Sequence, residues 1–200
     1  VVLKNMSKVT LQSQASVPTE FGRFDVLAFA QKAGDMMPHV VMVSPHVDGK
    51  APVVLRIHSE CMTGDVFHSL KCDCKDQLQN SLDYVQKHKG IVIYLRQEGR
   101  GIGLIEKLKA YQLQDQGLDT VDANLKLGHQ ADERDYEDAI DILEFLGVKR
   151  VRLLTNNPEK VTFLNEHGIE VIERIPIVLP TQEYSEDYFA TKKYKMGHIL

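Results

Sequence analysis

Ile91-Val92-Ile93-Tyr94-Leu95 followed at once by Arg96-Gln97-Glu98-Gly99-Arg100-Gly101-Ile102-Gly103 is the stretch on which the fold turns. A short apolar run rich in β-branched residues and closed by glycines reads as a buried strand. Leu104, Leu108 and Tyr111 then recur at helical spacing until Gly117 ends the pattern. Tyr111 shares that stripe, so a core tyrosine is its plain reading. Toward the C-terminus, Tyr136, Ile140 and Leu143 mark another helix before Gly147, and Arg150–Leu154 is the next strand. Asn157-Pro158 supplies an N-cap and a proline at the first helical position. Val161 and Leu164 face inward there, and Gly168 precedes a strand at Glu170–Ile177. Toward the N-terminus, Leu78, Leu82 and Val85 predict a helix from Asp76 to Gly90. Earlier still, the runs Phe24–Phe29, Val40–Val43 and Val53–Ile57 are strands separated by Gly, Pro and Asp.

Strand alternating with helix predicts an α/β fold. It is α+β-like in having a β-rich N-terminal part, followed by strand–helix units around a mixed sheet. One domain spans residues 1–200. Residues 1–17 form an N-terminal extension, and 181–200 form a tail of weak pattern expected to be partly mobile. The chain begins at Val1 and not at methionine, which leaves open a processed, tagged or longer parent with an upstream domain.

The 200 residues are 43% hydrophobic and 26% charged, ordinary for a globular protein with a real core. A net charge of −4 and a pI near 6.1 argue against broad electrostatic binding of nucleic acid or membrane. They are compatible with a phosphorylated small molecule held by a few local arginines. No window has the length and apolarity of a membrane span, and the first 16 residues lack the apolar core of a signal peptide. A cytoplasmic address is expected.

Cys61, Cys72 and Cys74 all fall within one 14-residue stretch. An odd count argues against a disulfide framework. Free thiols are common core residues, yet Cys72 and Cys74 sit among Lys71, Asp73, Lys75 and Asp76, a poor setting for packing. Three thiolates suit zinc and leave a fourth position for water, which the metal activates as a nucleophile. His58 or His68 as a fourth ligand would instead close the site and make it structural.

Glycines between a strand and a helix N-terminus let backbone N–H groups approach an anion. By itself the run at 99–103 is equally a tight structural turn, but Arg96 and Arg100 flanking it favour a phosphate. Thr155-Asn156-Asn157-Pro158-Glu159-Lys160 repeats the arrangement after the next strand, where ligands of open α/β sheets gather. Its plainer reading is a well-capped helix. Ala131-Asp132-Glu133-Arg134-Asp135 reads, on physics alone, as a solvated helix start.

Taken together, the motifs resemble the GTP cyclohydrolase II family. They are Arg56-Ile-His-Ser-Glu-Cys-Met-Thr-Gly-Asp65, Cys72-Asp-Cys74, Arg96-Gln-Glu-Gly-Arg-Gly-Ile-Gly-Leu104, Ala110-Tyr-Gln-Leu-Gln-Asp-Gln-Gly117, Ala131-Asp-Glu-Arg134 and Leu153-Leu-Thr-Asn-Asn-Pro158. They run in order from about Pro18 to the closing Lys195-Met-Gly-His198, with the region before about Val54 matching least distinctly. The resemblance implies hydrolysis of GTP to a 2,5-diaminopyrimidinone ribosyl phosphate, formate and pyrophosphate, at the head of riboflavin synthesis. It implies one Zn2+ per subunit on Cys61, Cys72 and Cys74, Mg2+ with the GTP phosphates, and a homodimer. Arg56, Ile57, His58, Ser59, Glu60, Gln77, Glu98, Gly99, Arg100, Thr120, Thr155 and Lys160 would line the GTP site. Tyr111 would assist proton transfer at the ring, and Asp132 and Arg134 would act at the α-phosphate. The family picture makes Arg134 a covalent nucleophile. A guanidinium stays protonated below a pKa of about 12, so charge stabilisation by Arg134, aligned by Asp132, is the physically simpler role. Two rivals share these motifs: a zinc GTP hydrolase that keeps the formamide, and a non-catalytic zinc-stabilised nucleotide-binding module.

Overall fold

The computed structural model describes residues 8–177 and residue 179. The tail at 181–200 and the closing Lys195–His198 motif lie outside the described residues. Seven strands form one mixed sheet: β1 (Thr10–Thr19), β2 (Gly22–Ala30), β3 (His39–Val43), β4 (Val53–Ser59), β5 (Ile91–Leu95), β6 (Arg150–Leu154) and β7 (Glu170–Ile175). Their spatial order is β1-β2-β3-β5-β4-β6-β7. The first four in that order pair antiparallel, and β5, β4, β6 and β7 run parallel. The helices are α1 (Met62–Asp65), α2 (Cys74–Lys87), α3 (Gly103–Gln114), α4 (Thr120–Lys126), α5 (Glu137–Phe145) and α6 (Pro158–Glu166), with a 3₁₀ turn at Glu98–Gly101. The expected α/β class and mixed sheet are both present.

Strand β4 lies inside the sheet, between β5 and β6, and its alternation positions the site. Val53, Leu55 and Ile57 point to a core shared with Ile91, Ile93 and Leu153, closed by Ile142 and Leu143 of α5 and Leu164 of α6. Burying each such side chain contributes about 1.5–3 kcal/mol. Val54 points the other way, into a smaller core with Val92 and, from α2, Leu78, Leu82 and Val85. Farther along that second face come Arg56 and His58, buried yet polar. The chain therefore turns from apolar to polar along one face as β4 approaches its carboxyl end.

Neighbour β5 lies on one side of β4 and β6 on the other, so the connections leaving β4 and β5 diverge. This is a topological switch point, where open α/β sheets bind ligands.

Three features differ from expectation. Edge strand β1, Thr10–Thr19, takes up most of the stretch 1–17 read as an N-terminal extension. Most of its side chains are exposed, and backbone pairing to β2 defines it, so it carries no hydrophobic signature. The short helices α1 and α4 had no periodicity to announce them. In α3 the inward residues are Lys107 and Ala110, while Leu108 is exposed. That helix turns toward a cleft, where the inward face need not be apolar.

Candidate active site

The loops following β4, β5 and β6 meet above the switch point and, with α2, α3 and α4, enclose one cleft. Arg56 is held from three sides. Its guanidinium donates to the Leu154 carbonyl at 3.2 Å, to Gln77 Oε1 at 2.6 Å and to His58 Nδ1 at 3.4 Å. Burial lowers its pKa to about 10, so it stays charged at neutral pH. With Nδ1 accepting, His58 carries its proton on Nε2, 3.2 Å from both oxygens of Asp65. Burial, the largest influence, pushes the His58 pKa down, which keeps the ring neutral.

Asp65 is the hub of this corner. Beyond His58 it accepts the Tyr94 hydroxyl at 2.8 Å and the Cys61 backbone N–H at 3.0 Å. It thereby fixes the first turn of α1, from which Cys61 projects. Cys72 and Cys74 arrive at the start of α2, and the three sulfurs lie within 4.8 Å of one another. Among the described residues no histidine or carboxylate joins them, and His58 is committed to Asp65. His68 is exposed at a left-handed backbone position. Neither histidine closes the cluster.

The donor set fits zinc. Zinc–sulfur bonds of about 2.3 Å in a tetrahedron place sulfurs about 3.8 Å apart; Cys61 and Cys72 Sγ are 3.7 Å apart. Hydrogen bonds from Cys72 and Cys74, with help from Lys107, lower the Cys61 pKa. The same proximity raises those of Cys72 and Cys74, because a second or third bare thiolate would face the first. Protons on Cys72 and Cys74 relieve that repulsion, and a divalent cation in their place would let all three sulfurs ionise.

Beyond β5 the glycine turn is built differently from a simple anion cradle. Glu98 turns its own carboxylate into the loop, accepting Met62 N at 2.5 Å, Gly99 N at 2.7 Å and Lys107 Nζ at 2.8 Å. Lys107 also reaches Cys61 Sγ at 3.1 Å. Burial disfavours its charge, but Tyr111, Cys61 and Glu98 together hold its pKa above the ordinary lysine value. Arg96 bonds Glu60 at 2.8 Å and stays out of the cleft, leaving Arg100 as the turn's arginine there. Gly101 must be glycine: its φ is +94°, and a Cβ would sit 2.7 Å from the Glu133 carbonyl. That close approach, with Glu133 N donating to the Arg100 carbonyl at 3.0 Å, lays the 132–134 loop against the turn. Asp132 then grips Arg134 through Nε at 2.8 Å, Nη2 and the backbone N–H at 3.1 Å. Burial would raise the Asp132 pKa; Arg134 outweighs it and keeps the carboxylate ionised.

The family profile described as GTP cyclohydrolase II matches residues 10–176. The chain belongs to that family. It is 48% identical over 193 residues to the GTP cyclohydrolase-2 of Picrophilus torridus, covering 96% of this chain and all of that one. It is 49% identical over 197 residues to that of Haemophilus influenzae, covering 98% and 91%. The Riboflavin biosynthesis protein RibBA of Phocaeicola vulgatus is 47% identical over 199 residues, which are 99% of this chain and 49% of that longer protein.

Most residues assigned by likeness to the GTP cyclohydrolase II family line the cleft: Arg56, His58, Ser59, Glu60, Gln77, Glu98, Gly99, Arg100, Tyr111, Thr120, Thr155, Lys160 and Arg134, with the three cysteines. Two stand apart. The Ile57 side chain is 1% exposed in the opposite core, and its carbonyl, not its side chain, meets Lys160 Nζ at 2.8 Å. Asp132 lines a separate depression behind Arg134, reaching the cleft through that arginine. Sequence reasoning gave no role to Asp65 or Lys107. For Lys107 a signal existed: it lies three residues after Leu104 and four before Tyr111, on the inward stripe.

Proposed function

We propose that this chain performs its family's reaction: zinc-dependent hydrolysis of GTP to 2,5-diamino-6-(5-phospho-D-ribosylamino)pyrimidin-4(3H)-one, formate and pyrophosphate. Family membership makes it an enzyme of GTP hydrolysis in riboflavin biosynthesis. The observation that carries the finer reading is the sharing of one cleft by a three-thiol cluster at zinc spacing, the phenol of Tyr111, Arg100 and Arg134. A purely structural zinc site would have its fourth ligand from the protein.

When bound, zinc supplies activated water as a nucleophile at neutral pH. The base of GTP lies at the thiol end, beside Tyr111, for opening of the imidazole ring and release of formate. Burial raises the Tyr111 pKa above that of a free phenol, so Oη holds its proton and can deliver it to a ring nitrogen. Arg134, its fork fixed by Asp132, meets charge developing on the pyrophosphate leaving group. Mg2+ travels with the phosphates. Arg56 and Lys160, both buried and cationic, draw the anionic substrate inward. A homodimer and a cytoplasmic address complete the reading. Exposed Phe67 and Ile105 offer apolar surface for a second subunit, and no helix among the described residues is long and apolar enough to cross a membrane.

The test is incubation of the purified protein with GTP, zinc and magnesium, with formate and pyrophosphate assayed separately. Both products, abolished by a chelator, are expected. Pyrophosphate without formate would indicate an enzyme that keeps the formamide. Zinc binding with neither product would indicate a nucleotide-binding module.

A further inference from the structure

One buried charge in the cleft has no part in the assignments above. Lys107 is 9% exposed, and taking an ammonium out of water costs several kcal/mol unless anions compensate. Its two close partners are Cys61 Sγ at 3.1 Å and Glu98 Oε1 at 2.8 Å. An ammonium has three N–H donors, so Lys107 bonds Glu98 with one and Cys61 Sγ with another. Three thiolates around one divalent ion leave a net negative charge in a site largely shielded from water. Lys107 is in hydrogen-bond contact with that sulfur cluster.

We propose that Lys107 is a positioning residue for the metal: its hydrogen bond to Cys61 Sγ stabilises the anionic three-thiolate site, tightens zinc binding and draws electron density from that sulfur. A less electron-rich sulfur donates less to the ion, which leaves the ion a stronger Lewis acid. Partners beyond the ligands tune metal sites in this way, and their loss typically weakens metal binding about 10- to 100-fold. The proposal rests on the zinc reading above.

The experiment measures zinc affinity of the full chain by competition with a chromophoric chelator, and the absorption spectrum of the cobalt-substituted protein. Wild type is compared with Lys107→Met and Lys107→Arg. Lys107→Met is expected to weaken zinc about 10- to 100-fold and to move the sulfur-to-cobalt charge-transfer band to lower energy. Lys107→Arg, which keeps a charged donor, should fall between the two in both readouts. Folding is checked by urea unfolding, and Lys107→Gln takes the place of the methionine variant if that one does not fold. A folded variant with wild-type zinc affinity and an unshifted band overturns the proposal. A wild-type chain that binds neither zinc nor cobalt overturns the zinc reading, and this proposal with it.

Discussion

Gly64 lies under the sulfur cluster, and replacing it with alanine tests the metal geometry through a single methyl group. An alanine Cβ there would lie 2.8 Å from Cys72 Sγ, 3.0 Å from Cys74 Cβ and 3.2 Å from Cys61 Sγ. Gly64 is within α1 and its φ is not in the left-handed range, so the backbone accepts alanine. Alanine even favours the helix by up to about 1 kcal/mol. Overpacking by one methyl costs about 1–3 kcal/mol. Without metal the thiols can rotate away and escape that cost, so the metal-free chain should keep its stability to within about 1 kcal/mol. Zinc pins all three sulfurs at once, so the full overpacking cost falls on the bound state. Affinity should therefore drop about 5- to 150-fold. Chelator competition gives the affinity and urea unfolding of the metal-free protein gives the stability. Gly49→Ala is the control, since its nearest atoms are carbonyls at 3.8 Å. Gly64→Ala with wild-type zinc affinity would falsify the claim that these sulfurs converge on a metal above Gly64.

Tyr111→Phe should leave zinc content and GTP affinity unchanged while formate release falls at least about 100-fold, the usual share of a general acid–base group; near-normal formate would remove Tyr111 from the chemistry. Cys72→Ser should lose formate release yet still release pyrophosphate from GTP. If that variant folds and binds GTP but yields no pyrophosphate, the metal supports both hydrolyses. His58 is held neutral by burial, with its folded pKa below the unfolded value of about 6.5. The unfolded chain therefore binds the extra proton below pH about 6.5, and stability should fall there as pH drops, by at most about 1.4 kcal/mol per pH unit. Urea unfolding between pH 5.5 and 7.5 (about one unit either side of that value) should show a shallower slope for His58→Gln; equal slopes would show that the imidazole is not kept neutral.

How much of this could be read beforehand depended on where each residue's partners lie. Strands β5 and β6 and helices α2, α5 and α6 were legible because their apolar spacing records which side meets the core. The cysteines were legible because zinc chemistry needs residue types that stand close together in this sequence. Strand β1 was not, since its support is a ladder of backbone bonds to β2 that any polar sequence could make. Ile57 shows a related limit. Contiguity puts it within the Arg56–Glu60 motif, but a strand alternates, so its neighbours Arg56 and His58 face the cleft while Ile57 faces the core. Asp65 and Lys107 were the hardest to find. Asp65 matters because Tyr94, 29 positions away, bonds it, and Lys107 because Cys61 lies 46 positions back. A motif marks the atoms that react. The groups that fix those atoms in place act across the sheet, and only the folded chain brings them together.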